Sequence, residues 1–82
     1  MERSIGTVFS VSKDKFWGMI EDDRSHIGYF VHHSNVVDHI VLRLHDRVEF
    51  TVAPNPRKPG WFQAIDVKVV GRAVPTETAV LP

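Results

Sequence analysis

Apolar and polar residues alternate along this chain with a period of two, and that pattern limits the possible folds more than any other. Side chains of a half-buried strand alternate between faces, and residues 47–53 show this clearly, with Val48, Phe50 and Val52 on one face. No segment carries an apolar stripe at helical spacing over three turns. The sequence therefore predicts an all-β domain.

Turn-forming residues divide the chain into five predicted strands, at residues 4–11, 16–21, 28–33, 47–53 and 61–70. Segment 54–60 holds three prolines, which remove ladder donors, so it is predicted to be a loop. The connection 34–46 contains an apolar run, 40–44, which is either a helical turn or a short extended piece. Five short strands with a long third connection predict a small Greek-key barrel of the OB type.

A chain of 82 residues is expected to form one domain, which we place at residues 4–71. Residues 72–82 lack periodicity and resemble a linker, which suggests a domain from a longer protein. No apolar run is long enough to cross a bilayer, and no signal peptide is visible at the N-terminus. We therefore expect a monomeric, cytoplasmic domain that does not associate with membranes.

Several kinds of chemistry are disfavoured by the residue types present. The chain has no cysteine, which excludes disulfides, thiolate zinc sites and thiol catalysis. The five histidines do not follow a zinc-site spacing, and no serine stands in a nucleophile motif or glycine in a phosphate-binding loop. We therefore expect no metal, no cofactor and no catalytic residues. Ten basic and ten acidic residues give zero net charge, which argues against binding driven mainly by electrostatics.

Two neighbouring predicted strands carry large aromatic residues. In the first, Trp17 and Met19 share one face, and in the second, Phe30 and His32 share one face. Their strand neighbours, such as Val31, are the better candidates for the core. An exposed face with two aromatic rings and an imidazole is suited to stacking on nucleic-acid bases.

The order and spacing of several motifs from residue 6 to residue 70 resemble those of a cold-shock domain. The family pattern reads approximately G-K-V-K-W-F-N-x-x-K-G-F-G-F-I, then V-F-V-H-x-S, G-D-x-V-x-F and Q-A-x-x-V. The positions that agree with this pattern are Gly6, Val8, Lys15, Gly18, Ile20, Phe30, Val31, His32, Ser34, Asp46, Val48, Phe50, Gln63, Ala64 and Val67.

The resemblance implies binding of single-stranded RNA, or single-stranded DNA, by stacking of bases on aromatic residues of two ribonucleoprotein-type motifs. Carried over position by position, Trp17, Phe30 and His32 match stacking residues, and Lys15 matches a basic position in the first motif. The family has no chemistry of its own, so the resemblance implies a binding module and not an enzyme.

The chain departs from the family pattern at several of these positions. Ser10 replaces the tryptophan of the first strand, Met19 replaces a phenylalanine, and Phe16 replaces a glycine. His33 follows the motif histidine, where an aromatic residue is common. Each stacked base contributes about 1–3 kcal/mol, so the loss of one or two aromatic partners would weaken binding substantially.

Other residues are candidates to restore the lost contacts. Phe9 stands where the family commonly has an exposed lysine, and Trp61 and Phe62 enter the fifth strand near the face that binds in the family. Arg57 and Lys58 are candidates for phosphate contacts, although a solvated loop pair is an equally good interpretation. The complete set of candidate binding residues is Phe9, Lys15, Trp17, Met19, Phe30, His32, His33, Arg57, Lys58, Trp61 and Phe62.

Two functions remain open from the sequence. The first is a single-stranded nucleic-acid-binding module, with RNA favoured, in a larger RNA-regulatory protein whose adjacent domains contact protein partners. The second is a cold-shock fold that serves as a protein-interaction or structural module, which the zero net charge, Ser10 and Met19 would favour. A net positive charge on the aromatic face would distinguish the first from the second.

Overall fold

The computed structural model describes residues 3–71 and contains five strands. They are β1 (Ser4–Val11), β2 (Trp17–Asp22), β3 (Gly28–His32), β4 (Arg47–Pro54) and β5 (Phe62–Gly71). The strands form a closed barrel in the order β1-β2-β3-β5-β4, and β4 pairs back onto β1. The β3–β5 pair is parallel, whereas the other neighbouring strands are antiparallel. The predicted all-β, five-stranded OB-type barrel is confirmed.

The strand bounds agree with the sequence pattern to within one residue. β3 ends at His32 because His33 begins a 3₁₀ turn instead of continuing the strand. The predicted tail, residues 72–82, lies outside the described residues, so the domain boundary stays a prediction. No helix within residues 3–71 is long and apolar enough to span a membrane.

The core contains the inward-facing half of each alternating strand. Ile20, Val31, Val48 and Phe50 are fully buried. Gly18 also faces inward, and a Cβ there would lie 2.7 Å from the carbonyl oxygen of Ser10, so glycine allows β1 and β2 to approach. The complete buried apolar set is Val8, Ile20, Val31, Val36, Leu42, Val48, Phe50, Ala64 and Val67.

The connection from β3 to β4 starts with two 3₁₀ turns, His33–Asn35 and Val37–His39. The sequence left open whether the apolar run, residues 40–44, forms a helical turn. In the structure the helical turns come before this run, and residues 40–43 lie in neither helix nor strand. The connection is anchored because Val36 and Leu42 are buried. At its end, the carboxylate of Asp46 accepts a hydrogen bond from the backbone N–H of Arg43 at 2.9 Å.

Candidate functional site

Cross-strand pairing on the outside of the barrel forms a row of side chains across four strands. Ser10 lies opposite Met19, Met19 opposite Phe30, and Phe30 opposite Gln63. Residues that are directly opposite in neighbouring strands share a face. The row thus contains two predicted site residues, Met19 and Phe30, with a serine at one end and an amide at the other.

A second pair lies beside this row, where Trp17 is opposite His32. The Trp17 ring stacks on that of Phe30, with centroids 5.9 Å apart and planes at 28°. Trp17 remains 42% exposed, so much of its surface is open to a ligand. The structure therefore brings four predicted residues together, and we call Trp17, Met19, Phe30 and His32 the platform.

The imidazole of His32 is oriented by the residue two positions later. The backbone N–H of Ser34 donates to His32 Nδ1 at 3.1 Å, and the Ser34 hydroxyl lies 2.9 Å from the same nitrogen. A backbone N–H can only donate, so Nδ1 acts as the acceptor and the neutral ring carries its proton on Nε2. His32 can thus offer an Nε2–H donor to a ligand.

Phe9 extends the platform through an irregularity in β1. The β1–β2 register shifts between Val8 and Ser10, which makes Phe9 the extra residue of a β-bulge. A Cβ at Gly28 would lie 3.2 Å from Phe9 Cζ and 3.5 Å from Met19 Cε, so both side chains reach across the space that this glycine leaves. Phe9 is 49% exposed at this edge of the platform.

A groove of about 560 Å³ lies between three platform residues, Met19, Phe30 and His32, and the β4–β5 loop, residues 55–61. Its basic residues are Arg57 and Lys58, and no aspartate or glutamate lines it. The groove therefore carries positive charge although the whole chain has a net charge of zero. It is lined by Met19, Gly28, Phe30, His32, Ser34, Asn35, Asn55, Pro56, Arg57, Lys58, Trp61, Phe62 and Gln63.

The last residue of the loop and the first residue of β5 contribute two exposed aromatic side chains to the groove. Trp61 and Phe62 are 65% and 54% exposed. Lys58 Nζ lies 5.4 Å from the centroid of the Trp61 ring, a cation–π geometry. The four predicted residues of segment 57–62 thus line the same groove as Met19, Phe30 and His32.

Lys15 and His33 lie elsewhere. Both belong to a small depression beside Phe16, at the other edge of Trp17. His33 Nε2 lies 3.1 Å from the carbonyl oxygen of His39, and its ring centroid is 6.5 Å from that of Phe16. The structure does not bring these two predicted residues into the groove. A 3₁₀ turn begins at His33, the last residue of the predicted third strand, and Lys15 lies in the connection between β1 and β2, with φ of 68°.

The acidic group at the end of β2 has partners away from the groove. The backbone N–H groups of Ser25 and Arg24 donate to one carboxylate oxygen of Asp22, and these hydrogen bonds hold its pKa below the ordinary value. The Asp23 carboxylate is paired with Arg47, whose hydrogen bonds also lower the pKa of Asp23. These charges therefore stabilise a turn and do not line the candidate site.

Four polar groove residues were not identified as site residues from the sequence, namely Ser34, Asn35, Asn55 and Gln63. Gln63 was noted only as part of a motif, and its pairing with Phe30 across a parallel junction has no local sequence signal. Within residues 3–71, no group of three histidine or acidic side chains is arranged to hold a metal ion.

The closed barrel and its strand order define an OB-type fold. No protein-family model and no curated protein matches the chain. A solved structure described as "drosophila Unr CSD456" is similar, with a TM-score of 0.67 and 25% sequence identity. The alignment covers 96% of this chain and 29% of that one, so this chain spans less than a third of the Drosophila structure.

This likeness confirms the resemblance found in the sequence: the chain has the fold of a cold-shock domain. It supports a nucleic-acid-binding module as the general class of function.

Proposed function

We propose that this domain binds single-stranded nucleic acid, RNA in preference to DNA, without catalysing a reaction. Bases stack on Trp17 and Phe30, and His32 adds an imidazole with a donor at Nε2. Phe9 partly compensates for Ser10, because the bulge places a phenyl ring next to Met19. Within a larger protein, adjacent domains would add avidity to the modest affinity of one domain.

The charge of the groove is the observation that carries this proposal. Arg57 and Lys58 line it together with Met19, Phe30 and His32 of the platform, and no carboxylate does. A nucleic-acid strand on the platform would therefore meet aromatic surface on one side and two cations on the other. This combination of stacking surface and basic groove is typical of sequence-tolerant single-strand binding.

A protein-interaction module is the second candidate function. The β3–β4 connection exposes four aliphatic side chains, Val37, Ile40, Val41 and Leu44, between 38% and 49% each. Exposed apolar residues of this kind also occur at protein interfaces. The predictions of a cytoplasmic location and a monomeric state rest on the sequence alone.

The proposal is tested by titrating fluorescently labelled short RNA, U-rich and mixed, with the wild-type domain and with Trp17→Ala and Phe30→Ala. Each substitution is expected to weaken binding by about five- to a hundredfold, from the 1–3 kcal/mol of one stacked base. Val70→Ala is the control, because Val70 is 53% exposed on β5 and lines neither the groove nor the depression beside Trp17, and it should bind like wild type.

Circular dichroism before each titration establishes that the variants are folded. Wild-type binding that both platform substitutions leave unchanged would contradict the proposal. No wild-type binding at high micromolar RNA would exclude it and favour the protein-interaction module.

A further inference from the structure

The β4–β5 loop is built as two consecutive tight turns. The backbone N–H of Lys58 donates to the carbonyl of Asn55 at 3.2 Å, and that of Trp61 donates to the carbonyl of Lys58 at 3.0 Å. Pro56 and Pro59 stand at the second position of these turns, where their fixed φ is preferred. Gly60, with φ of +88°, occupies the position of the second turn that needs positive φ.

The same loop is closed at its base and tip. The backbone N–H of Asn55 donates to the carbonyl of Trp61 at 2.8 Å, and the Asn55 side chain accepts the N–H of Arg57 at 3.0 Å. Two prolines and these hydrogen bonds leave the loop few alternative conformations. The loop backbone is therefore a preformed wall of the groove, from which the Trp61 ring and the Lys58 ammonium project.

Gln63 lies at the floor of the groove beside Phe30. The register pairs these two residues directly, and Gln63 is half-buried. Within residues 3–71, no hydrogen bond engages the side-chain amide of Gln63. The amide thus offers an adjacent donor and acceptor next to the ring on which a base would stack.

We propose that the groove is a base-selecting slot that holds one adenine of the bound strand between Phe30 and the Trp61 wall, with the Gln63 amide on its edge. This proposal rests on the proposed function and specifies one position of the bound strand. We place the Gln63 amide on the Hoogsteen edge, where adenine presents an amino donor, N6, beside an acceptor, N7, and guanine presents two acceptors. On that edge the amide can both accept from N6 and donate to N7 of adenine, whereas its carbonyl oxygen has no donor to pair with on guanine.

The groove has room for a base of the bound strand. Its volume of about 560 Å³ lies within the range of about 300–1,000 Å³ that is typical of small-molecule sites, so it can also hold part of the neighbouring nucleotides. The two-ring base also offers more stacking surface to both walls than a pyrimidine does. Arg57 and Lys58 are exposed on the loop, where they can reach a phosphate. Gln63, in contrast, lies in a strand, and its pairing with Phe30 fixes its backbone position.

The first experiment tests the wall with labelled A-containing RNA and the Trp61→Ala and Trp61→Phe variants. Trp61→Ala is expected to weaken binding about five- to a hundredfold, because one stacking partner is lost, while Trp61→Phe retains most of the affinity. If Trp61→Ala binds like wild type, the wall does not contact the ligand and the proposal is wrong.

The second experiment tests base selection with U-rich RNA in which one position is varied among the four bases. Wild type should bind the adenine-containing oligomer about tenfold more tightly than the others, as one paired edge contact provides. Gln63→Ala and Gln63→Glu should both remove that preference while binding to the U-rich RNA persists. Thermal melting of both variants checks that the barrel is intact.

The failures of the two proposals are distinguishable. Binding that depends on Trp17 and Phe30 but shows no adenine preference, or a preference that Gln63→Ala leaves in place, overturns the slot and leaves the binding function standing. An absence of binding to every oligomer overturns both.

Discussion

Raising the salt concentration should weaken nucleic-acid binding by an amount that the groove itself sets. Arg57 and Lys58 are the cations that line it. For single strands, the logarithm of the binding constant falls by about 0.7 per neutralised phosphate for each unit of log salt. Two phosphate contacts give a slope of about −1.4, so a fourfold increase in salt, from about 50 to 200 mM, should reduce affinity about sevenfold.

The assay is fluorescence anisotropy of labelled RNA at four or more salt concentrations. The double variant Arg57→Ala/Lys58→Ala should bind more weakly at low salt and show a slope near zero. Lys68→Ala is the matched control, because Lys68 is exposed on β5 but does not line the groove, and its slope should equal that of wild type. A slope steeper than about −3, or one that the double variant does not change, would refute the assignment of the phosphate contacts.

Three further predictions concern the chain without a ligand. Long-range ¹H–¹⁵N spectra should show the Nε2–H tautomer of neutral His32, because the N–H of Ser34 donates to Nδ1; an Nδ1–H tautomer would contradict the geometry. His45, exposed with φ of 71°, stands at the glycine position of the G-D-x-V-x-F motif, and His45→Gly should raise the free energy of unfolding by about 0.5–1 kcal/mol in urea titrations. The pKa of Asp22 is below its ordinary value of 3.8 in the folded state, so its contribution to stability is complete above that value and is lost as pH falls through the folded pKa. As pH is lowered, the free energy of unfolding should therefore fall less steeply for Asp22→Asn than for wild type, because asparagine has no charge to titrate beside the N–H of Ser25. Equal slopes in the two proteins would exclude this role.

Strands and core could be predicted from the sequence because both depend on local patterning. Alternation alone assigned Val31, Val48 and Phe50 to the interior, and all three are fully buried. The platform followed from the same alternation, because the exposed positions of β2 and β3 are the other half of the pattern. These predictions needed no knowledge of how the strands are ordered.

The remaining features of the site depend on contacts between distant segments. The bulge at Phe9 is a register shift against β2, which no property of β1 alone specifies. The pairing of Gln63 with Phe30 arises from barrel closure between strands separated by the whole of β4. His33 leaves the predicted strand because Val36, three residues later, is buried and bridges to Val67, so the backbone must turn before it.

The junction between β3 and β5 is the narrowest part of the barrel's hydrogen-bonded wall. Within residues 3–71, it consists of the Phe30–Gln63 pair and the isolated bridge between Val36 and Val67, whereas β4 and β5 pair along most of their length. A base held by Phe30 and Gln63 would span this junction and bind the closed barrel more tightly than any form in which the strands have separated. Ligand binding and barrel closure would then be thermodynamically linked, and the domain would gain resistance to local opening in proportion to the logarithm of the ligand concentration above Kd.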